Sequence, residues 1–481
     1  MQSCVTHLSE LELNDLILKA KDWNIIHGCI MRPRENFSLD QAQICPFLLL
    51  PSSYPKGEFQ KAKELQSMLN ELMHKVAHDH EFLSSTLKNT IEVDDFTRKL
   101  FEIYQTVYLE GFAQTLSLGL IRSDYMLHGS EGGEIKQVEI NMISTSFAGL
   151  AGINSNYQKF ILEELGFKNK LSNIPQNDPA NGFGNALGRA WSTYKEKFAV
   201  STVVHKIIIL FIVEDVVYNL FDQRAIEFSI NEKSPEIKVI RRTLSELATK
   251  ARLGSKKELL VEDFEVAVAY YRTGYQLEAY PSDKEWDVRL LIERSTAIKC
   301  PSIHYHLAGT KKVQQQLSVP GVLERFLIDQ AVINKIKEIF MGLYSLDLDE
   351  DGDKAVAEAI SNPQKYVLKP QREGGGYNIY GDEIKSHLES MKGSKERTAF
   401  ILMERIYPPL QKNYLIRAGN TDVRLQDFVS ELGIYGVLMG DETAVYLNGE
   451  VGHVLRTKPS AYNEGGIVFG AGAIDNPYLV E

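Results

Sequence analysis

The chain has 481 residues, 44% apolar and 24% charged, the balance of a soluble globular protein rather than a disordered, collagenous or coiled-coil one. Its 53 Lys and Arg against 64 Asp and Glu give a net charge of −11, which argues against nucleic-acid or membrane partners but not against a compact anion met by locally gathered cations. The longest unbroken apolar run, Ile207 to Val213 between Lys206 and Glu214, falls far short of the roughly 20 residues of a spanning helix.

Met1 to Asp22 carries Glu10, Glu12 and Asp15 among its leucines and lacks a basic start followed by an apolar run, so neither a signal nor a transit peptide is expected. The cysteines, Cys4, Cys29, Cys45 and Cys300, include no CxxC pair. A reducing, cytoplasmic compartment is the expected location.

Helices are predicted through the first 120 residues. Glu58 to His78 sets Leu65, Met68, Leu69, Leu72 and Met73 at helical spacing, and Phe96 to Leu118 does so with Leu100, Ile103, Val107 and Phe112. The first strand signal is Gln137 to Ile143, and the Pro/Asn/Gly-rich stretch from Asn173 to Gly184 reads as a linker. Strands and helices then alternate: Lys206 to Val213 (strand), Asp222 to Ile230 (helix), Ile237 to Arg241 (strand), Ser245 to Ala251 (helix) and Val266 to Tyr271 (strand). That alternation predicts a small βαβ-type layer near residues 205–305. A helix is expected from Val322 to Tyr344, followed by strands at Tyr366 to Pro370, Tyr377 to Tyr380, Phe400 to Ile406 and Ala444 to Leu447. The fold class is α/β or α+β, in about three units or two large ones.

Two patterns resemble motifs without their context. Asp347-x-Asp349-x-Asp351-Gly352-x5-Glu358 meets the calcium-loop pattern, but its eighth position is Lys354 and no second loop exists to pair with. It reads as an acidic turn capping a helix that begins near Lys354. Gly182-x-Gly184-x-x-x-Gly188 approaches a dinucleotide fingerprint, but no strand precedes it. A P-loop, HExxH and GxSxG are all absent, and His304 and His306 have no further ligands nearby in sequence.

The informative stretch is Lys369-Pro-Gln-Arg-Glu-Gly-Gly-Gly-Tyr-Asn-Ile-Tyr380. A strand ends in Lys369, three glycines let the backbone approach a ligand closely, and Lys369 and Arg372 suit an oligophosphate. Glu373 would repel that anion unless a cation mediates, which points to Mg²⁺. In Val138-Glu139-Ile140-Asn141-Met142, strand alternation puts Glu139 and Asn141 on one face, two oxygen ligands on a rigid element.

Arg122-Ser-Asp-Tyr-Met126, Val138-Glu-Ile-Asn141, Leu307-Ala-Gly-Thr-Lys-Lys-Val-Gln314, Lys369-Pro-Gln-Arg-Glu-Gly-Gly-Gly376 and Arg456-Thr-Lys458, in this order and spacing, resemble the eukaryotic glutathione synthetase family nearly end to end. The resemblance implies an ATP-grasp fold with a glycine-rich lid and a smaller Rossmann-like substrate-binding domain. It divides the chain into 1–204 (N-terminal helical and first ATP-grasp part), 205–308 (inserted βαβ-type substrate-binding domain) and 309–481 (second ATP-grasp part, with loops 369–380 and 456–475). It implies a typically homodimeric, ATP-dependent carbon–nitrogen ligase that joins γ-glutamylcysteine to glycine through an acyl phosphate, with two Mg²⁺ ions per site.

By the same resemblance, Glu139, Asn141 and Glu373 hold Mg²⁺. ATP falls to Glu139, Lys311, Lys369, Glu373, the glycines Gly374, Gly375 and Gly376, then Asn378 and Tyr380, and further along to Met403, Glu404, Ile406, Glu431, Lys458 and Glu464. The substrates fall to Ser144, Ser146, Asn219, Gln223, Arg272, Tyr275, Ile467 and Val468. Arg122 and Arg456 serve both substrate binding and catalysis. Such phosphoryl chemistry needs positioned cations more than general acid–base groups.

Three departures fall on the substrate side. Where the family usually has Glu-Arg-Asn-x-Phe-Asp-Gln-Arg, this chain reads Val217-Tyr-Asn-Leu-Phe-Asp-Gln-Arg224, so the carboxylate expected to meet the γ-glutamyl ammonium is lost. Glu214, three residues upstream, is the candidate substitute, although at the wrong phase of a strand. Glu464 stands where the family has Asp, and Val468-Phe469 where it has two alanines beside the acceptor pocket. Three readings therefore stay open: the family ligase at normal or weakened strength, a same-fold ligase with another donor or acceptor, and a catalytically silent nucleotide-binding paralogue that acts through a protein partner.

Overall fold

The computed structural model describes residues 9–129, 132–371, 376–467 and 470–481. Among these, fourteen strands form one large sheet. Its centre is a long hairpin, Gln426–Gly440 against Val445–Pro459. Ser117–His128 joins it antiparallel, and Glu134–Asn141 pairs in turn with Ser117–His128. At the far end, Lys299 pairs with Ser117 and links this antiparallel half to parallel strands at Ile298–Cys300, Phe264–Tyr271, Ile207–Ile212 and Lys238–Arg242. The result is a mixed α/β architecture, the class predicted from sequence.

The expected alternation after residue 205 is present, with helices Leu220–Lys233 and Leu244–Lys250 between the parallel strands. It forms no separate sheet, because one bridge continues it into the antiparallel half. A second, four-stranded sheet orders Leu343–Ser345, Phe400–Glu404, Tyr366–Pro370 and Ile379–Tyr380 side by side. Leu346, Val356, Leu368, Ile384, Leu388 and Leu402 form its core beneath helices Glu350–Ser361 and Asp382–Ser390.

Several boundaries differ from expectation. The helix predicted over Phe96 to Leu118 stops at Glu110, where Gly111 takes φ of +80° and ends it; Ser117 already begins a sheet strand. The second half of the predicted linker is helix, because Pro179 starts Pro179–Lys197. Its glycines are contact points: a Cβ on Gly182 would stand 2.4 Å from Val451 Cβ, and one on Gly184 2.0 Å from Ser229 Oγ. The helix expected from Val322 to Tyr344 breaks into Leu323–Phe326 and Gln330–Ile339, the second capped by Asp329 accepting from Ala331 N–H, and Leu343 to Ser345 is strand.

The acidic turn does cap a helix, which starts at Glu350 rather than near Lys354, with Asp349 accepting from Gly352 N–H at 2.8 Å. Asp347 pairs with Lys312 at 2.7 Å and Asp353 with Arg397 at 2.6 Å, so these carboxylates are matched by protein cations. No described helix is long and apolar enough to cross a membrane.

Candidate active site

One face of the main sheet and the four-stranded sheet enclose a cavity of about 690 Å³. One wall comes from strand alternation. Arg122 and Asp124 project from the same face of Ser117–His128, Glu139 and Asn141 from the paired strand, and Glu431, Arg456 and Lys458 from the long hairpin. Asp124 is completely buried at their junction. Its carboxylate accepts from Arg122 Nε at 2.6 Å and Arg122 Nη2 at 2.9 Å, from Arg456 at 2.8 Å and from Asn141 Nδ2 at 2.8 Å. Arg456 also pairs with Glu431.

The cations are gathered rather than scattered. Lys311 Nζ lies 3.3 Å from Glu139 Oε2, and Lys369 Nζ donates to Val138 O at 3.1 Å. Burial works to raise the Glu139 carboxyl, but Lys311, Lys369, Arg456 and Arg122 outweigh it and hold it at about 2. Glu431 moves upward, because burial and the charges of Asp124 and Glu139 overcome the pull of Arg456. Burial pushes Lys369 and Lys458 downward. Such a concentration of positive charge in a half-buried cavity is the environment a polyanion compensates.

Two loops close over this end. Tyr380 Oη donates to Glu464 Oε1 at 3.1 Å and Gly376 N–H to Glu464 Oε2 at 3.3 Å, so one carboxylate ties the end of the glycine-rich stretch to the loop after Pro459. Arg405 stands over the Tyr380 and Tyr407 rings at 5.8 and 5.7 Å and donates to Asn463 Oδ1 at 3.2 Å. Lys458 donates to Asn463 O.

At the other end, Arg272 is buried and donates to Thr145 O at 2.6 Å and Ser146 Oγ at 3.0 Å, with Asp222 at 3.6 Å. Asp222 in turn accepts from Phe147 and Gly149 N–H, fixing the turn that presents Ser144 and Ser146. Ser144 takes φ of +52° there. Asn219 donates to Ser146 Oγ at 3.4 Å, and Tyr275 Oη donates to Glu214 Oε1 at 2.9 Å.

The structure thus brings most of the residues singled out from sequence to one cavity. Arg122, Glu139, Asn141, Ser144, Ser146 and Asn219 line it, as do Arg272, Tyr275, Lys311 and Lys369. So do Asn378, Tyr380, Met403, Glu404 and Ile406, and Glu431, Arg456, Lys458, Glu464 and Ile467. Gln223 does not: it is buried behind the wall, donating to Asn219 Oδ1 at 3.2 Å and accepting from Arg241. Gly376 meets the cavity only through its bond to Glu464. Arg372, Glu373, Gly374, Gly375, Val468 and Phe469 lie outside the described residues. Sequence reasoning missed Asp124 and Arg34. The Arg122-x-Asp124 alternation was visible, whereas nothing in sequence brings Arg34 to the cavity.

Among the described residues no group of three or more His, Cys, Asp or Glu is arranged to hold a metal ion. A magnesium ion that keeps its waters and takes substrate phosphates needs fewer protein ligands. The Glu139 carboxylate is ionised, and Asn141 points its amide N–H at Asp124, which leaves its amide oxygen for another partner. That hard-oxygen pair fits Mg²⁺.

Comparison with known proteins agrees with this geometry. The family model described as eukaryotic glutathione synthase, ATP binding domain, matches residues 10–479. The glutathione synthetase of Xenopus laevis is 42% identical over 97% of this chain and 97% of its own, and that of Homo sapiens is 42% identical over 98% and 97%. The solved structure of a glutathione synthetase-like effector from Globodera pallida shares the fold, with a TM-score of 0.78 at 24% identity over the whole of both chains. A match that spans the chain at this identity, with the cavity's cations and carboxylates in place, shows that the chain belongs to the eukaryotic glutathione synthase family.

Proposed function

We propose that the protein is an ATP-dependent carbon–nitrogen ligase that joins γ-glutamylcysteine to glycine. The observation that carries this reading is the convergence of Arg122, Arg456, Lys311, Lys369 and Lys458 with Glu139 and Asn141 on one cavity.

In this reading the donor carboxylate attacks the γ-phosphorus of ATP. The bond to the β–γ bridging oxygen breaks, leaving ADP and an acyl phosphate. The amine of glycine then attacks the acyl carbon, phosphate departs with the shared electron pair, and the amide forms with loss of the amine proton to water. Lys311, Lys369 and Lys458 bind and orient the nucleotide's phosphates. Arg122 and Arg456, held rigid by Asp124, face the oxygens on which negative charge accumulates. Glu139 and Asn141, with Glu373, are the residues to hold Mg²⁺, which when bound neutralises phosphate charge. The Tyr380–Glu464 bond ties the strand Ile379–Tyr380 to the loop after Pro459 beside the nucleotide, which limits entry of water that would hydrolyse the acyl phosphate.

Two further expectations accompany this reading: a cytoplasmic homodimer, and the division into 1–204, 205–308 and 309–481. The test is ADP release from MgATP with γ-glutamylcysteine, with and without glycine. Glycine-dependent release supports the reading. ATP binding without release against a panel of dipeptides and amines overturns it in favour of a non-catalytic nucleotide-binding role.

A further inference from the structure

The strand that carries Glu139 and Asn141, Glu134–Asn141, pairs on one side with Ser117–His128, and among the described residues no strand pairs with its outer edge. Glu139 stands opposite Asp124 and Gln137 opposite Tyr125, so Val138 is an extra residue, a bulge that bends the strand and re-aims its side chains. The outward N–H and C=O groups of such an edge still need partners, and here side chains supply them. Lys369 Nζ donates to Val138 O at 3.1 Å. Gln314, buried, takes the place of a neighbouring strand at Ile140, the residue between Glu139 and Asn141. Its Oε1 accepts from Ile140 N–H at 2.7 Å, and its Nε2 donates to Ile140 O at 3.1 Å and to Gly309 O at 2.7 Å.

Gln314 belongs to the helix Lys311–Leu317, which is anchored independently on the four-stranded sheet. Lys312 N–H donates to Gln371 Oε1 at 3.2 Å, and Lys312 Nζ donates to Ser345 Oγ at 2.6 Å and to Asp347 Oδ2 at 2.7 Å. The helix therefore bridges the two sheets, with Lys312 bound to one and Gln314 to the other. Removing the Gln314 amide leaves Lys311 and its helix pinned through Lys312 but releases the bulged strand at Ile140. Two oxygen ligands separated by one residue serve a metal only while the backbone between them keeps its shape, and groups that hold ligands in place are commonly worth about 10–100-fold in metal affinity.

We propose that Gln314 is a positioning residue: by clamping Ile140 on both its N–H and its C=O, it fixes the spacing at which Glu139 and Asn141 present oxygens to Mg²⁺. This role rests on the ligase reading for its metal and adds the residue that keeps the metal-holding strand in shape.

The test is calorimetric titration with ADP, once in magnesium and once in chelator, of wild type, Gln314→Met and Gln158→Met. The last is a control that removes another buried amide, one that donates to Leu48 O at 2.9 Å and does not line the cavity. Gln314→Met is expected to weaken binding of ADP in magnesium about tenfold or more while leaving binding of metal-free ADP unchanged. Gln158→Met should lower the urea midpoint and leave both affinities alone, which separates the role from a general loss of packing. If Gln314→Met does not accumulate as folded protein, Gln314→Asn, which keeps the amide but withdraws it by one methylene, decides by the same comparison. Equal weakening of both forms of ADP, or weakening of neither, overturns the role of Gln314, as does a wild type whose ADP binding magnesium does not strengthen. These titrations need no turnover: if wild type shows no glycine-dependent ADP release, the ligase reading falls, and the two ADP affinities still decide Gln314.

Discussion

Asp124, completely buried, holds Arg456 by a 2.8 Å hydrogen bond across the central sheet, and the same carboxylate grips Arg122 with two more. Two guanidinium groups thus share one fixed anion, and their remaining N–H groups are aimed by it. Asp124→Asn keeps the size but removes the charge and replaces one acceptor with a donor. Removing one partner of a buried charge network costs about 3–5 kcal/mol. The expected result is a fall of about a hundredfold or more in kcat with a smaller change in the KM for ATP, measured by ADP release. An unchanged kcat would show that the arginines are positioned by something else.

Lys311, at 3.3 Å, and the neighbouring Lys369, Arg456 and Arg122 hold Glu139 in its ionised form in the cavity. Glu139→Ala is expected to abolish ATP turnover, and removal of magnesium by a chelator should do the same to the wild type. Glu139→Ala turning over at the wild-type rate in MgATP would rule out its proposed place beside the metal and the phosphates.

The nucleotide side was legible in sequence because its chemistry sits on contiguous stretches: Glu139 and Asn141 alternate on one strand, and Lys369 leads directly into glycines. The central hairpin was not. Along Gln426–Gly440, residues Leu432 to Gly440 are buried in succession, so the strand lacks the in–out alternation that marks a one-sided sheet. Its partner starts as a strand in the expected place, at Val445, but runs on through Gly449, Gly452, Arg456 and Lys458, where Gly452 packs closely on Asn177 and Pro179 and the two cations face the cavity, so strand propensity is weak there. The strand phase expected at Glu214 did not apply for a local reason: the strand ends at Ile212, and the turn after it brings Glu214 to the cavity wall.

Glu464 bonds Tyr380 at 3.1 Å and Gly376 at 3.3 Å, joining two loops through one side chain. Glu464→Ala removes both acceptors and frees the loops to separate. The KM for ATP is expected to rise about tenfold or more, consistent with loss of roughly 1.5–3 kcal/mol from hydrogen bonds to a charged group. Tyr380→Phe, which removes one of the two, should give a smaller rise. Steady-state kinetics in ATP separates these outcomes; identical KM values across the three proteins would mean the tie is broken when nucleotide binds.

Several histidines are buried as neutral rings, which sets the sign of their own contribution to the pH dependence of stability. His74 accepts at Nδ1 from Tyr305 Oη at 2.5 Å, while its Nε2–H donates to Asp441 O at 3.0 Å, so protonation at Nδ1 puts a second donor against the tyrosine hydroxyl. Burial, aided by the neighbouring His78, pushes His74 down to about 4, and burial with Lys63 pushes His453 down to about 3. His304 and His306 also move well downward through burial. Above pH 6.5 these rings are neutral folded or unfolded and contribute nothing to pH dependence. As pH falls below 6.5 the unfolded chain takes up protons that the folded chain refuses, so stability declines until the folded values are passed. Each such histidine contributes at most about 1.4 kcal/mol per pH unit across that window. The His74 contribution should therefore show as a difference: between pH 6.5 and 4 the wild-type urea midpoint should fall relative to that of His74→Gln, whose dependence is shallower by that amount. An equally steep dependence in that variant would show that His74 is protonated in the folded protein as readily as in the unfolded chain.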